Sequence, residues 1–337
     1  MDIGRRHFVS ILGSAVVAAP RAAAGQSRQL PLIGFLHGAK VESYASDAAA
    51  FAQGLAESGL VEAQNLAIDY RFADGSRDRL AALAADLVRR PVALIVAGGA
   101  TAAIAAKSAT ASVPIVAVSG FDPVRLGLAT TRDRPGGNVT GVAFPTAGLM
   151  RKRLGFLREL VPAITTVGYL VENNRADVAD SALLRAIAEL RGEMRAAADM
   201  LGWQVAVAEV GSDRDYEAAF ATLVDRRAGA LVVAASPTFV SDTDDIIALA
   251  LRHEIPTLFE RRADVVAAGL ISYGANRPDA WRQAGGYVGQ ILNGAKPAEM
   301  PVTQSVRLEL VINKTIAKAL GITIPPRLLA QADEVIR

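Results

Sequence analysis

An α/β fold of two similar lobes, each a parallel sheet covered by helices and joined to its partner by hinge strands, follows from three observations on the sequence. Short apolar runs without charge recur along the chain. Amphipathic helical stretches separate them. The alternation then starts again after a turn-rich break at 133–138, Asp-Arg-Pro-Gly-Gly-Asn. Apolar runs of this kind read as strands buried on both faces, as parallel sheets require.

The elements follow in order. Residues 32–36 form the first strand, and 45–58 a helix with Phe51 and Leu55 four apart, ended near Gly59. Residues 66–72 alternate as a strand, and 79–90 place Leu80, Leu83, Leu87 and Val88 on one helical face. A buried strand at 92–97, a helix at 102–109 and a strand at 115–118 complete the first series. After the break, helices at 149–160, 181–201, 215–226 and 242–252 lead to strands at 167–171, 204–208, 230–235 and 257–259. The remainder, with a segment at 269–273, a helix at 280–292 and a strand at 306–312, is too small for a third domain and is expected to cross back and complete both sheets.

The N-terminus predicts export. Arg5-Arg6-His7-Phe8 precedes an uncharged stretch at 9–20, too short to span a bilayer, and then Ala22-x-Ala24, a small-residue cleavage signature. Residues 1–24 are therefore expected to be a signal peptide removed before Gly25. The paired arginines resemble a twin-arginine signal, although Gly4, Val9 and Ser10 depart from its usual pattern, and the general secretion route stays open. Cleavage would remove three cations and one anion from totals of 36 and 34, leaving a balanced chain of about 310 residues with no basic footprint for nucleic acid. The absence of cysteine excludes disulfides, thiol nucleophiles, thiolate metal sites and a lipid-anchoring Cys. A free periplasmic protein is expected.

Seven motifs then occur in order. They are Ile33-Gly34-Phe35-Leu36, Phe51-x-x-Gly54-Leu55-x-x-x-Gly59, Gln64-Asn65-Leu66-x-Ile68-x-Tyr70-Arg71, Asp122-Pro123-Val124-x-x-Gly127-Leu128, the stretch 134–141 (Arg-Pro-Gly-Gly-Asn-Val-Thr-Gly), Ser272-Tyr273-Gly274, and Glu309-Leu310-Val311-Ile312-Asn313. This succession, over about 30–337, resembles the bacterial ABC-transporter substrate-binding proteins of the tryptophan/tyrosine-binding type. The resemblance implies the type I periplasmic-binding-protein fold: two Rossmann-like lobes, three hinge crossings and a ligand in the cleft between them. Lobe 1 would span 30–144 plus about 274–302, and lobe 2 145–273 plus about 303–337. It also implies a small-molecule ligand, an amino acid or related and possibly aromatic solute, delivered by a monomer to an inner-membrane ABC permease.

Ligands of open parallel sheets lie beyond the carboxyl ends of the strands. In the first lobe that rule selects Ser43 and Tyr44, whose hydroxyls follow the first strand, and Ala100, Thr101 and Ala102 after Gly98-Gly99. There, small residues expose backbone N–H groups at a helix N-terminus suited to a carboxylate. Asp122 follows the strand at 115–118 and matches the Asp of the family's Asp-Pro-Val motif. It would pair with a ligand ammonium, the alternative being a cap of the turn before Pro123. In the second lobe Asn173 and Asn174 offer amides, Ser236 a hydroxyl, Glu260 a carboxylate and Tyr273 a flat surface with a polar tip; Asn173, Asn174 and Ser236 would serve as well to cap helices, and Glu260 with Arg261 and Arg262 to form a solvated charge cluster. The Gly136-Gly137 turn is expected to supply backbone freedom at the first crossing.

No cofactor, metal site or catalytic residue is expected. The chain has no Gly-x-Ser-x-Gly elbow, no His-Glu-x-x-His helix and no phosphate loop, and His37 and His253 stand alone in sequence. An exported enzyme is thus the weaker alternative to a solute receptor. A sensor presenting its solute to a membrane receptor is another alternative.

Overall fold

The computed structural model describes residues 30–173, 181–211, 213–305 and 307–337, and all its elements fall within the unit Pro31–Arg337. The expected signal at 1–24 lies outside the described residues. The chain opens with β1 (Leu32–His37), α1 (Ala45–Glu57), β2 (Ala67–Phe72), α2 (Arg77–Arg89), β3 (Leu94–Gly98), α3 (Ala100–Ala109), β4 (Ile115–Ser119) and β5 (Val139–Ala143). It continues with α4 (Met150–Leu160), β6 (Thr166–Glu172), α5 (Ser181–Asp199), β7 (Gln204–Val210), α6 (Tyr216–Asp225), β8 (Ala230–Val233), α7 (Pro237–Ser241), α8 (Thr243–Arg252), β9 (Thr257–Phe259), α9 (Arg262–Val266) and β10 (Ile271–Ala275). It ends with α10 (Arg277–Leu292), β11 (Thr303–Gln304), β12 (Leu308–Asn313), α11 (Lys314–Ala319), α12 (Pro326–Gln331) and β13 (Glu334–Ile336).

The strands form two sheets. Six build the first, in the order β11-β5-β4-β3-β1-β2, and seven the second, in the order β13-β12-β10-β9-β8-β6-β7. Among the described residues every strand pairing is parallel except β10 with β12, the strand that enters the second sheet from the third crossing. β3, β4 and β5 are buried at every position, and their Val, Ile and Ala side chains feed cores on both faces of the first sheet. One core holds Trp281, Phe35 and Phe51 beneath α1 and α10; the other joins Leu80, Leu87 and Ala103 of α2 and α3. The second sheet is covered in the same way, by α4 and α5 on one face and by α6 and α8 on the other. Each fully buried Leu, Ile, Val or Phe contributes roughly 1.5–3 kcal/mol of transfer free energy, so two-faced cores stabilise each lobe separately.

β11 pairs with β5 in the first sheet, so the chain leaves lobe 1 after Gln304. One expectation needs correction. The Gly136-Gly137 turn, with Gly136 at φ +75°, precedes β5 inside lobe 1, whereas the first crossing follows β5, between Ala143 and Met150. The second crossing lies between Ala275 and Arg277, and the third between Gln304 and Leu308. Hydrogen bonds lay the three crossings side by side: Ser305 N–H donates to the Ala143 carbonyl at 2.9 Å, and Asn276 N–H to the Arg307 carbonyl at 2.8 Å. Asn276 also caps α10 by accepting from Asp279 N–H at 3.0 Å, fixing where the second crossing becomes helix.

Candidate functional site

Strands β1, β3 and β4 of lobe 1 and β6, β8 and β9 of lobe 2 all point their carboxyl ends at the gap between the lobes. That gap holds a cavity of about 150 Å³. The rule that sites lie beyond strand carboxyl ends therefore selects the interlobe cleft in both sheets at once. Apolar side chains from both lobes form most of its wall, among them Phe121 and Phe144 from lobe 1 and Ile187, Phe239 and Phe259 from lobe 2.

The first lobe presents a helix N-terminus. Gly99 adopts φ +92°, a conformation only glycine takes without strain, and directs the chain from β3 into α3. No side chain caps α3, so the N–H groups of its first turn face the cleft with the positive end of the helix dipole. Ala100 and Thr101 line the cavity there, and the Thr101 hydroxyl oxygen is buried without a hydrogen-bond partner among the described residues.

His37, the last residue of β1, forms the adjoining floor. Its Nδ1 accepts from Ala39 N–H at 3.1 Å, which leaves the proton of the neutral ring on Nε2. Burial, then the charges of Arg277 and Arg261, lower its pKa to about 3, so the ring is neutral across the physiological range. A Cβ at Gly98 would lie 2.2 Å from the imidazole and 3.0 Å from the Trp281 indole, so glycine at 98 lets both rings sit against the cavity floor.

Charges in the wall are mostly neutralised in place. Arg261 pairs with Asp264, Arg277 with Asp47 at 2.9 Å, and Glu260 with the buried Arg153 at 2.8 Å. Glu172, the last residue of β6, differs: among the described residues its carboxylate accepts one hydrogen bond, from the Thr238 hydroxyl at 3.0 Å, and has no ion-pair partner.

The lips of the cleft, opposite the crossings, are in contact. Lys40 of lobe 1 donates from its backbone N–H to Ser241 Oγ at 3.0 Å and places Nζ 3.3 Å from Asp242 of lobe 2. Asp242 also holds Arg214 at 3.0 Å and accepts from the Tyr216 hydroxyl at 2.8 Å, while Arg214 donates across the gap to the Asp74 carbonyl at 2.6 Å. Arg125 and Glu189 form a further bridge between the lobes. The lobes are closed on each other.

The sequence-selected residues divide accordingly. Ala100, Thr101, Ser236 and Glu260 line the cleft, although Ser236 also caps α7 by accepting from Phe239 N–H at 3.0 Å. Ala102 is fully buried in α3 beneath the surface. Ser43 donates to the Lys40 carbonyl at 2.7 Å, outside the wall. Tyr44 turns inward and packs between Phe35, His37 and Trp281, its hydroxyl pKa raised chiefly by burial. Tyr273 packs edge-on against Phe156 in the lobe 2 core. Asp122 accepts from Val124 N–H at 3.0 Å, as a turn cap does, and pairs with Arg132 at 2.6 Å at a separate hollow beside the crossings. Asn173 lies outside the cavity wall, with its N–H bonded to the Val210 carbonyl at 2.8 Å. Asn174 lies outside the described residues. His37, which the sequence leaves open between a cleft position and a surface or capping one, lines the cavity, whereas Glu172 and the phenylalanines are cavity residues outside the sequence selection. The strand-end rule applied to β1 and β6 already marks His37 and Glu172.

Comparison with known proteins agrees with this architecture. The chain is 24% identical over 270 residues to a tyrosine-binding protein of Clostridioides difficile, covering 80% of this chain and 75% of that one. It is similar to a solved ABC domain in complex with L-Trp from Streptococcus pneumoniae, with 27% identity, a TM-score of 0.79 and coverage of 91% of this chain and 100% of that one. A conserved domain protein from Vibrio cholerae shares the fold at a TM-score of 0.81 and 24% identity, with coverage of 91% and 100%. The family described as ABC transporter substrate binding protein matches residues 39–336, so the chain belongs to that family of solute-binding proteins.

Proposed function

We propose that this protein is the periplasmic receptor of an ABC importer, closing on an amino acid, in particular an aromatic one, and delivering it to an inner-membrane permease. The observation that carries the reading is the closed, mostly apolar interlobe cleft with the uncapped N-terminus of α3 at its floor. An α-carboxylate would sit against the Ala100–Thr101 backbone and the Thr101 hydroxyl, where the helix dipole favours negative charge. An aromatic or aliphatic side chain would fill the space between Phe121, Phe144 and Phe239. The names of the tyrosine-binding relative and the L-Trp-bound structure support the same ligand class. The signal-like sequence at 1–24 supports export.

Thermal-shift screening of residues 25–337 against the standard amino acids tests the ligand class. A solute that binds only the folded protein at a hundredfold excess over its Kd stabilises it by about 2.7 kcal/mol. The expected result is a raised melting temperature with an aromatic L-amino acid. A shift with none of the amino acids would remove the assignment.

A further inference from the structure

Resting on the amino-acid reading, we infer that Glu172 is the residue that holds the ligand's ammonium group. The carboxylates of the cleft wall are Glu172, Glu260 and Asp264. Two of them already face a guanidinium within their own lobe: Glu260 meets Arg153, a side chain only 1% exposed, and Asp264 meets Arg261. An ammonium approaching either would have to compete with a fixed cation. Glu172 carries no such counter-charge among the described residues, and the Thr238 hydroxyl fixes one of its oxygens at 3.0 Å while leaving the other lone pairs for an incoming donor.

Its position adds a second argument. Glu172 ends β6 on the lobe 2 side of the cavity, while the uncapped α3 N-terminus stands on the lobe 1 side. A zwitterion spanning the two would set its carboxylate on one lobe and its ammonium on the other. Each contact would then form fully only when the lobes meet, so the ligand's own charges would favour the closed state. Asp122 cannot take this part, because it is occupied by Arg132 and lies at a different hollow.

The test uses residues 25–337 and four probes: L-tryptophan, L-tyrosine and their deaminated counterparts indole-3-propionate and 3-(4-hydroxyphenyl)propionate. Calorimetry on Glu172→Gln, which keeps an oxygen for Thr238, should show tenfold to hundredfold weaker binding of the amino acid that wild type takes, the range of a lost charge-assisted hydrogen bond. The same variant should bind the deaminated acid within about twofold of wild type. Asp122→Asn should bind both as wild type does. Unchanged amino-acid affinity in Glu172→Gln would overturn the inference alone, as would an equal loss for the amino acid and its deaminated form, which marks a structural role. Failure of wild type to bind either amino acid would overturn the ligand assignment itself, and this inference with it.

Discussion

Arg153→Met should lower the unfolding free energy by about 3–5 kcal/mol, the range found when one partner of a buried ion pair is removed. Arg153 is among the largest fully buried side chains of the protein. It extends from α4, the first helix after the first crossing, to Glu260 at the end of β9 at 2.8 Å and to the Tyr273 carbonyl in β10 at 2.9 Å. Methionine would fill much of the volume, yet it would leave a largely buried carboxylate and a strand carbonyl without their donor. Because β10 runs directly into the second crossing, the loss would also loosen the strand on which the hinge is anchored. Urea unfolding measures the effect, and a loss below about 1 kcal/mol would show that Glu260 and the Tyr273 carbonyl recruit water without penalty.

Gly54→Val should destabilise lobe 1 by about 3 kcal/mol, at the upper end of overpacking penalties. A Cβ on Gly54 would fall 1.9 Å from the Arg282 carbonyl oxygen, and one on Gly285 would fall 2.5 Å from the Gly54 backbone. Helices α1 and α10 thus touch backbone to backbone, and the obstructing atoms belong to a helix that cannot swing aside as a side chain can. Gly192→Ala in α5 separates this from ordinary helix propensity. A Cβ there meets nothing within 4 Å, so the change should be neutral or stabilising by up to about 1 kcal/mol. Equal effects of the two substitutions in urea unfolding would refute close helix contact as the reason for Gly54.

The lobes and most long elements were legible because their signal is local. Runs such as Ile95-Val96-Ala97 are apolar at every position, and helices such as α2 place their apolar residues on one face. The helices α7, α9, α11 and α12, of five or six residues, span less than two turns and leave no helical period to recognise; β5 was masked by its glycine and the adjoining turn. The strand-end rule found the α3 N-terminus and Glu260 but said nothing of where side chains turn. Tyr44 folds under His37, and Asp122 meets an arginine ten residues on; both follow from tertiary packing that residue type and spacing do not encode. Glu172 was within reach of the same rule, since it directly follows the strand read at 167–171, beside the amides that were selected.

Closure on solute is the central claim, and small-angle scattering of residues 25–337 saturated with the amino acid that gives the largest thermal shift measures it most directly. The closed structure, with Lys40 against Asp242 and Arg214 against the Asp74 carbonyl, should reproduce the saturated profile. A saturated profile more extended than this closed form would contradict the account, since a ligand held by both lobes cannot leave them apart.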